Sequence, residues 1–215
     1  CSYCDFCKVF YHQKQVDDYL AVLKKELISL QIDAPLKTLY IGGGTPTSLD
    51  DEQLEWLMDI IKPYISLYTQ EVTIEVNPET LDFYKLDILK KGGITRLSFG
   101  VETFNDNLLK AINRKHNCMQ VKRVIDYAHR LGFKNISIDL MYGLPGQTIE
   151  DIKKDLDMVE SLNIQHVSYY ALILEDHTVL KNQNYHPLNE EDEANINDLI
   201  DKRLAQMGFI KYEIS

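Results

Sequence analysis

Cys1, Cys4 and Cys7 crowd the first seven residues, and Cys118 is the one other cysteine of the 215-residue chain. A disulfide across a two-residue gap is strained, so packing and cross-linking explain the cluster poorly. Thiolates at this spacing on a short loop converge on a soft metal centre, either zinc or an iron–sulfur cluster. No second Cys-x2-Cys or His-x3-His follows to complete a zinc tetrahedron, and a cluster with one open iron fits the donor set better. A second chemical feature is Ile-Gly-Gly-Gly-Thr-Pro-Thr over residues 41–47, directly after an apolar run. Glycines without a Cβ let the backbone approach a ligand closely. The loop lacks the Gly-Lys-Ser/Thr of a phosphate loop and the spacing of a dinucleotide fingerprint.

Isolated charges in apolar stretches come next. Glu75 and Asp139 each interrupt a strand-like run, where an unpartnered carboxylate is costly. Each is either half of an internal ion pair or an acceptor for ribose hydroxyls or an ammonium group. Glu102 closes a third such run. Arg114 follows a helical segment and reads equally as a ligand contact or a solvated side chain. Cys118 reads as a small buried or half-buried side chain. The six histidines show no ligand spacing, and none is assigned to metal.

The elements that must position these groups alternate regularly. Helical stripes cover residues 15–30, 49–64, 80–91, 105–112, 118–131, 148–162 and 190–207. Apolar strand patterns cover 36–41, 71–76, 95–101, 135–141 and 166–174. Asp50 is set to cap the second helix, Gly92 and Gly132 to stop two others, and the acidic run 189–193 to complement a helix dipole. Such alternation with short crossovers predicts a parallel sheet wrapped by helices, as a full or partial barrel or a doubly wound sheet. Chemistry then belongs at the carboxyl ends of the strands, where residues 42–45, Glu75, Glu102 and Asp139 fall. The polar stretch 175–189 is long enough to act as a mobile lid.

Composition narrows the classes further. One domain is the default at this length. A formal net charge of -10 argues against a nucleic-acid partner. No apolar run reaches the roughly 20 residues needed to span a bilayer, and no signal peptide opens the chain. Clustered thiols without a disulfide framework indicate a reducing, cytoplasmic setting. The absence of an initiator methionine and the strand-like final residues mark the chain as a piece of a longer protein.

Taken in order, Cys-Ser-Tyr-Cys-Asp-Phe (1–6), Ile-Gly-Gly-Gly-Thr-Pro-Thr (41–47), Glu-Val-Asn-Pro (75–78), Leu-Ser-Phe-Gly-Val-Glu-Thr-Phe (97–104), Asp-Leu-Met-Tyr-Gly-Leu-Pro-Gly-Gln-Thr (139–148) and Tyr-Glu-Ile-Ser (212–215) carry a resemblance. They resemble the radical S-adenosylmethionine (SAM) family of oxygen-independent coproporphyrinogen III oxidase and the related heme chaperone. The resemblance covers essentially the whole chain. It implies an α/β partial (β/α)6 TIM-like barrel with its first strand missing here, residues 1–210 as the radical SAM core and 211–215 as the start of a C-terminal domain.

Against the family's Cys-x3-Cys-x2-Cys motif, Cys1 and Cys4 match the second and third ligands of a [4Fe–4S] cluster, and Cys7 stands beside it. Read without the family, the three thiols form one set. By the same resemblance Tyr3 contacts the adenine side of S-adenosylmethionine, Gly43, Gly44 and Thr45 cradle its methionine part, and Glu75 contacts it as well. Arg114 and Asp139 match further contacts, for which a second molecule is an alternative. Glu102 stands where the family usually carries glutamine, which removes a donor and adds charge. The cofactors would supply one-electron cleavage of S-adenosylmethionine to a 5′-deoxyadenosyl radical, and no catalytic side chain is assigned.

The oxidase branch carries another cysteine at the position of Phe6, so the spelling here is that of the heme chaperone branch. The expected function is binding heme or porphyrin and passing heme to acceptors such as respiratory proteins. Oxidative decarboxylation of coproporphyrinogen propionates is the alternative. A non-catalytic zinc- or cluster-stabilised binding module is the alternative from another class.

Overall fold

A computed structural model describes residues 2–4, 9–183 and 185–213. Cys1 and Cys7, to which the sequence assigns a ligand and its neighbour, lie outside the described residues, as do Phe6 and the last two positions. Among the described residues, no helix is long and apolar enough to cross a membrane.

In chain order the elements are α1 (Gln13–Ser29), β1 (Thr38–Ile41), α2 (Asp51–Ile61), β2 (Glu71–Val76), α3 (Phe83–Lys91), β3 (Arg96–Glu102), α4 (Asp106–Ala111), α5 (Cys118–Arg130), β4 (Asn135–Tyr142), α6 (Ile149–Ser161), β5 (His166–Ala171), α7 (Val179–Asn182) and α8 (Glu190–Gln206). The strands form one sheet in the order β1-β2-β3-β4-β5. The β1–β2, β2–β3 and β4–β5 pairs are parallel. A doubly wound sheet reverses its strand order at a switch point. This one never does, and the unbroken order is the winding of a (β/α) barrel.

Local chemistry sets the boundaries. Asp50 and Gln53 form a reciprocal capping box at α2, and Thr148 and Asp151 form another at α6. The expected helix over 80–91 begins later, at Phe83, because Asp82 caps it by accepting from Lys85 N at 2.8 Å. The segment over 49–64 ends in a 3-10 turn at Lys62–Tyr64, where Pro63 cannot continue the α ladder. Four acidic residues fill the first turn of α8, complementing its dipole.

By contact the chain divides into two compact units, one of Cys7–Phe99 with Asp126–Ile136, the other of Cys1–Phe6, Gly100–Ile125 and Ser137–Ser215. In the first, Val72, Ile74 and Val76 of β2 and Leu97 and Phe99 of β3 are buried, a period-2 set that the β2–β3 register places on one face of the sheet. In the second, Leu108, Ile112, Met141, Leu144, Leu172 and Leu180 form a core cluster. Leu180 sits in the stretch read from sequence as a mobile lid. Its burial in that cluster and the short helix α7 anchor part of the stretch to the fold.

The second unit also buries a carboxylate that the sequence reading passed over. Asp155 of α6 is 1% exposed and accepts from Phe104 N at 2.7 Å and Thr103 Oγ1 at 2.8 Å, tying the turn after β3 to α6. Burial pushes its carboxyl from 3.8 up to about 7, with the two hydrogen bonds opposing. The folded chain therefore keeps this proton up to about pH 7 while the unfolded chain has released it, so the contribution to stability is full below pH 3.8 and lost as pH rises through 7. Relative to Asp155→Asn, the native chain should gain roughly 2 kcal/mol as pH falls from about 7.5 to 5. Urea unfolding of both at the two pH values measures this, and a pH-independent difference contradicts it.

Candidate functional site

In the first unit the site residues gather around the loop after β1. Glu75 on β2 accepts from Tyr40 Oη at 2.8 Å and from Gly43 N at 3.3 Å. The carboxylate is thus held by a tyrosine and a backbone amide of the glycine loop rather than by a cation on a neighbouring strand. A Cβ at position 42 would lie 2.6 Å from Glu75 Cδ, so only glycine admits the carboxylate there. Gly43 has φ +104, the left-handed region that favours glycine. Around Gly43 and Gly44 an added Cβ would meet nothing within 4 Å. One glycine makes room for Glu75, and the other two present bare backbone to open space.

The loop is fixed beyond the glycines by Thr47, which the sequence reading left without a role. Thr47 is fully buried, its Oγ1 2.8 Å from Thr80 Oγ1 and accepting from Asn77 N at 3.1 Å. Lys85 Nζ donates to Thr47 O at 2.8 Å and Thr80 O at 3.2 Å. Thr45 O takes Ser48 N at 2.8 Å, closing the turn. The loop after β1 is therefore bolted to the Asn77-Pro78 turn after β2. The Thr-Pro-Thr spelling was the available sign, since a buried threonine in a loop needs partners.

The second unit holds the cysteine loop. Ser2 N donates to Ile112 O at 3.0 Å, and Leu180 N donates to Ser2 O at 2.9 Å, pinning the loop between the end of α4 and the start of α7. Cys4 is a half-buried thiol. Between them Tyr3 packs on the core cluster, and its hydroxyl is hydrogen-bonded to Glu102. Burial, reinforced by the Glu102 charge, pushes the Tyr3 phenol well above its usual range, so it stays a neutral donor.

Glu102 gathers this unit's site residues. It is 5% exposed, and its backbone has φ +68 although it is not glycine. Tyr170 Oη of β5 donates to Oε2 at 3.1 Å. Arg114 Nη2 stands 3.7 Å from Oε1 and donates to Gly100 O at 2.6 Å. Arg114, read from sequence as ligand contact or solvated residue, is buried with only 6% of its side chain exposed. Desolvation, then the Glu102 charge and Asp139, drive the Tyr170 phenol well upward. Asp139 is half-buried on β4 and in register with Ser168. The parallel register puts Asp139, Met141, Ser168 and Tyr170 on one face of the β4–β5 pair, and alternation in Ser168-Tyr169-Tyr170 was the signal that could have found Tyr170.

In the first unit, bare glycine backbone beside Glu75 offers a ligand close approach. Cys4 supplies a soft ligand on a loop tied down at both sides.

The profile of the Radical SAM superfamily matches residues 1–159. The chain is 43% identical over 226 residues to the heme chaperone HemW of Bacillus subtilis, covering 100% of this chain and 59% of that protein. It is 41% identical over 220 residues to the heme chaperone HemW of Lactococcus lactis, covering 100% of this chain and 58% of that protein. Among solved structures, coproporphyrinogen III oxidase (HemN) of Escherichia coli superposes with a TM-score of 0.87 at 28% identity, over 98% of this chain and 50% of that one. The chain thus spans less than two thirds of the relatives it matches.

Glu102 separates a backbone effect from a side-chain effect. Glu102→Ala removes the carboxylate from a buried guanidinium and should cost about 3 kcal/mol. Glu102→Gly loses the same group but relieves the left-handed backbone, so it should be more stable than the alanine variant by about 1 kcal/mol. Urea midpoints of the two variants decide; an alanine variant at least as stable as the glycine one contradicts the assignment.

Proposed function

The chain belongs to the Radical SAM superfamily, and from that premise we propose that it is the cluster- and SAM-binding part of a heme chaperone, a protein that binds heme and inserts it into acceptor proteins. The observation that carries this reading is the identity to two proteins named heme chaperones, 43% and 41% across the whole chain, against 28% to the oxidase. Acceptors among respiratory proteins and a cytoplasmic setting belong to the same proposal. Coproporphyrinogen III oxidation is the second reading, favoured by the TM-score of 0.87 to that enzyme.

The residues divide the work as follows. Cys1 and Cys4 would be ligands of a [4Fe–4S] cluster. Gly43, Gly44 and Thr45 would receive the amino-acid end of S-adenosylmethionine, with Glu75 accepting from its ammonium group. Tyr3, Arg114 and Asp139 would contact the nucleoside. Glu102, already engaged by Tyr3, Tyr170 and Arg114, would act chiefly by holding Tyr3 and so the cysteine loop. Bound there, the cluster and S-adenosylmethionine would supply one-electron chemistry. This chain's own part is to fix the loop, keep the tyrosines protonated and leave the glycine backbone uncovered.

Gly44→Ala tests the cradle, because its new Cβ meets no protein atom. Its melting temperature should stay close to the native value while S-adenosylmethionine binds at least tenfold more weakly by calorimetry, a loss of about 1.4 kcal/mol. For function, the full-length protein is reconstituted anaerobically and assayed separately for heme transfer and for coproporphyrinogen decarboxylation. Transfer without decarboxylation is expected; decarboxylation without transfer selects the second reading.

A further inference from the structure

The end of β3 turns through a conformation that a side chain seldom adopts. Thr103 N donates to Val101 O at 2.9 Å, closing a three-residue turn with Glu102 at its apex. With φ +68 at Glu102, this is the γ-turn of positive φ, which is rare and strained. Such a turn persists only where its surroundings over-determine it. Here side chains take hold of the backbone on both sides of the apex. Before it, Arg114 Nη2 donates to Gly100 O at 2.6 Å, and Nε2 of His116, a residue 3% exposed, lies 3.1 Å from Val101 O. After it, Asp155 accepts from Phe104 N at 2.7 Å.

Asp155 has no task in its own helix. It lies in the interior of α6, beyond the capping box of Thr148 and Asp151. A carboxylate buried there is costly unless donors reach it, and an apolar side chain would pack at no such cost. Both its donors, Phe104 N and Thr103 Oγ1, belong to the turn. Thr103 Oγ1 in turn accepts from Asn105 N at 3.1 Å, which fixes the direction of its own proton. One helical turn before Asp155, Asp151 accepts from Asn105 Nδ2 at 2.8 Å. Helix α6 thus grips the residues after Glu102 at two points.

Resting on the reading of the cysteine loop as the side that binds cluster and S-adenosylmethionine, we infer that Asp155 is a positioning residue for that site: it fixes the turn that aims the Glu102 carboxylate at Tyr3. His116 does the same from the other side of the apex. The direction of the Cα–Cβ bond follows the backbone. Relaxation of residue 102 to negative φ would swing its carboxylate away from the hydroxyls of Tyr3 and Tyr170. Tyr3, which stands between Ser2 and Cys4, would then lose the bond that holds it. Asp155 therefore acts on the ligand site through Glu102.

A double-mutant cycle separates this role from plain packing. Its readout is the affinity of the cluster-reconstituted full-length protein for S-adenosylmethionine, measured by calorimetry. Asp155→Ala should bind roughly tenfold more weakly than the native protein. Asp155→Asn should stay within about twofold, because its oxygen still accepts from Phe104 N and its amide group reaches Thr103 Oγ1. In the Glu102→Gly background, where neither the carboxylate nor the strain remains, adding Asp155→Ala should weaken binding by less than about twofold. Should Asp155→Ala fail to fold, Thr103→Val, which removes only the hydroxyl, takes its place in the cycle with the same expected coupling. An equal loss in both backgrounds, or Asp155→Asn as weak as Asp155→Ala, overturns the positioning role and leaves the ligand site standing. Native protein that binds no S-adenosylmethionine overturns both.

Discussion

The second unit depends on one carboxylate that is buried and engaged from several sides. Glu102 sits where β3 ends, on a backbone that glycine would adopt more readily, and Arg114 beside it is equally buried. Neither charge is tolerable there alone. Their pairing is supported by Gly100 O on the arginine and by two neutral phenols on the carboxylate. The result ties three separate pieces of chain together: the cysteine loop through Tyr3, β5 through Tyr170, and the segment after α4 through Arg114. An amide at position 102 could accept from the tyrosines but would remove the negative charge that Glu102 sets beside the guanidinium. The acid in this chain is thus matched to a buried arginine.

The glycine loop solves a different problem with less energy. Three consecutive glycines look redundant in sequence but divide into two roles in space. Gly42 is needed because Glu75 lies against it, whereas Gly43 and Gly44 face no protein atom at the Cβ position. Only the latter two leave room for something that is not protein. Flexibility would spoil such a cradle, and Thr47 with Lys85 removes it by fastening the loop to the turn after β2. Freedom at the glycines is therefore local.

The order of strands and helices was legible because period-2 and period-3.6 patterns are local, and so were caps such as Asp50 and Thr148. Boundaries drifted where a cap lay inside the apolar pattern, as Asp82 does before α3. The glycine loop and the odd carboxylates were legible as anomalies, residues that cost energy unless something receives them. What they receive was not. Glu102 and Tyr170 are 68 positions apart, and Thr103 and Asp155 are 52 apart, so no window of sequence links them. Arg114 could be read either way because burial of a charge after a helix depends entirely on a distant partner. The lid expected over 175–189 was read from polarity alone, and Leu180 was enough to anchor part of it.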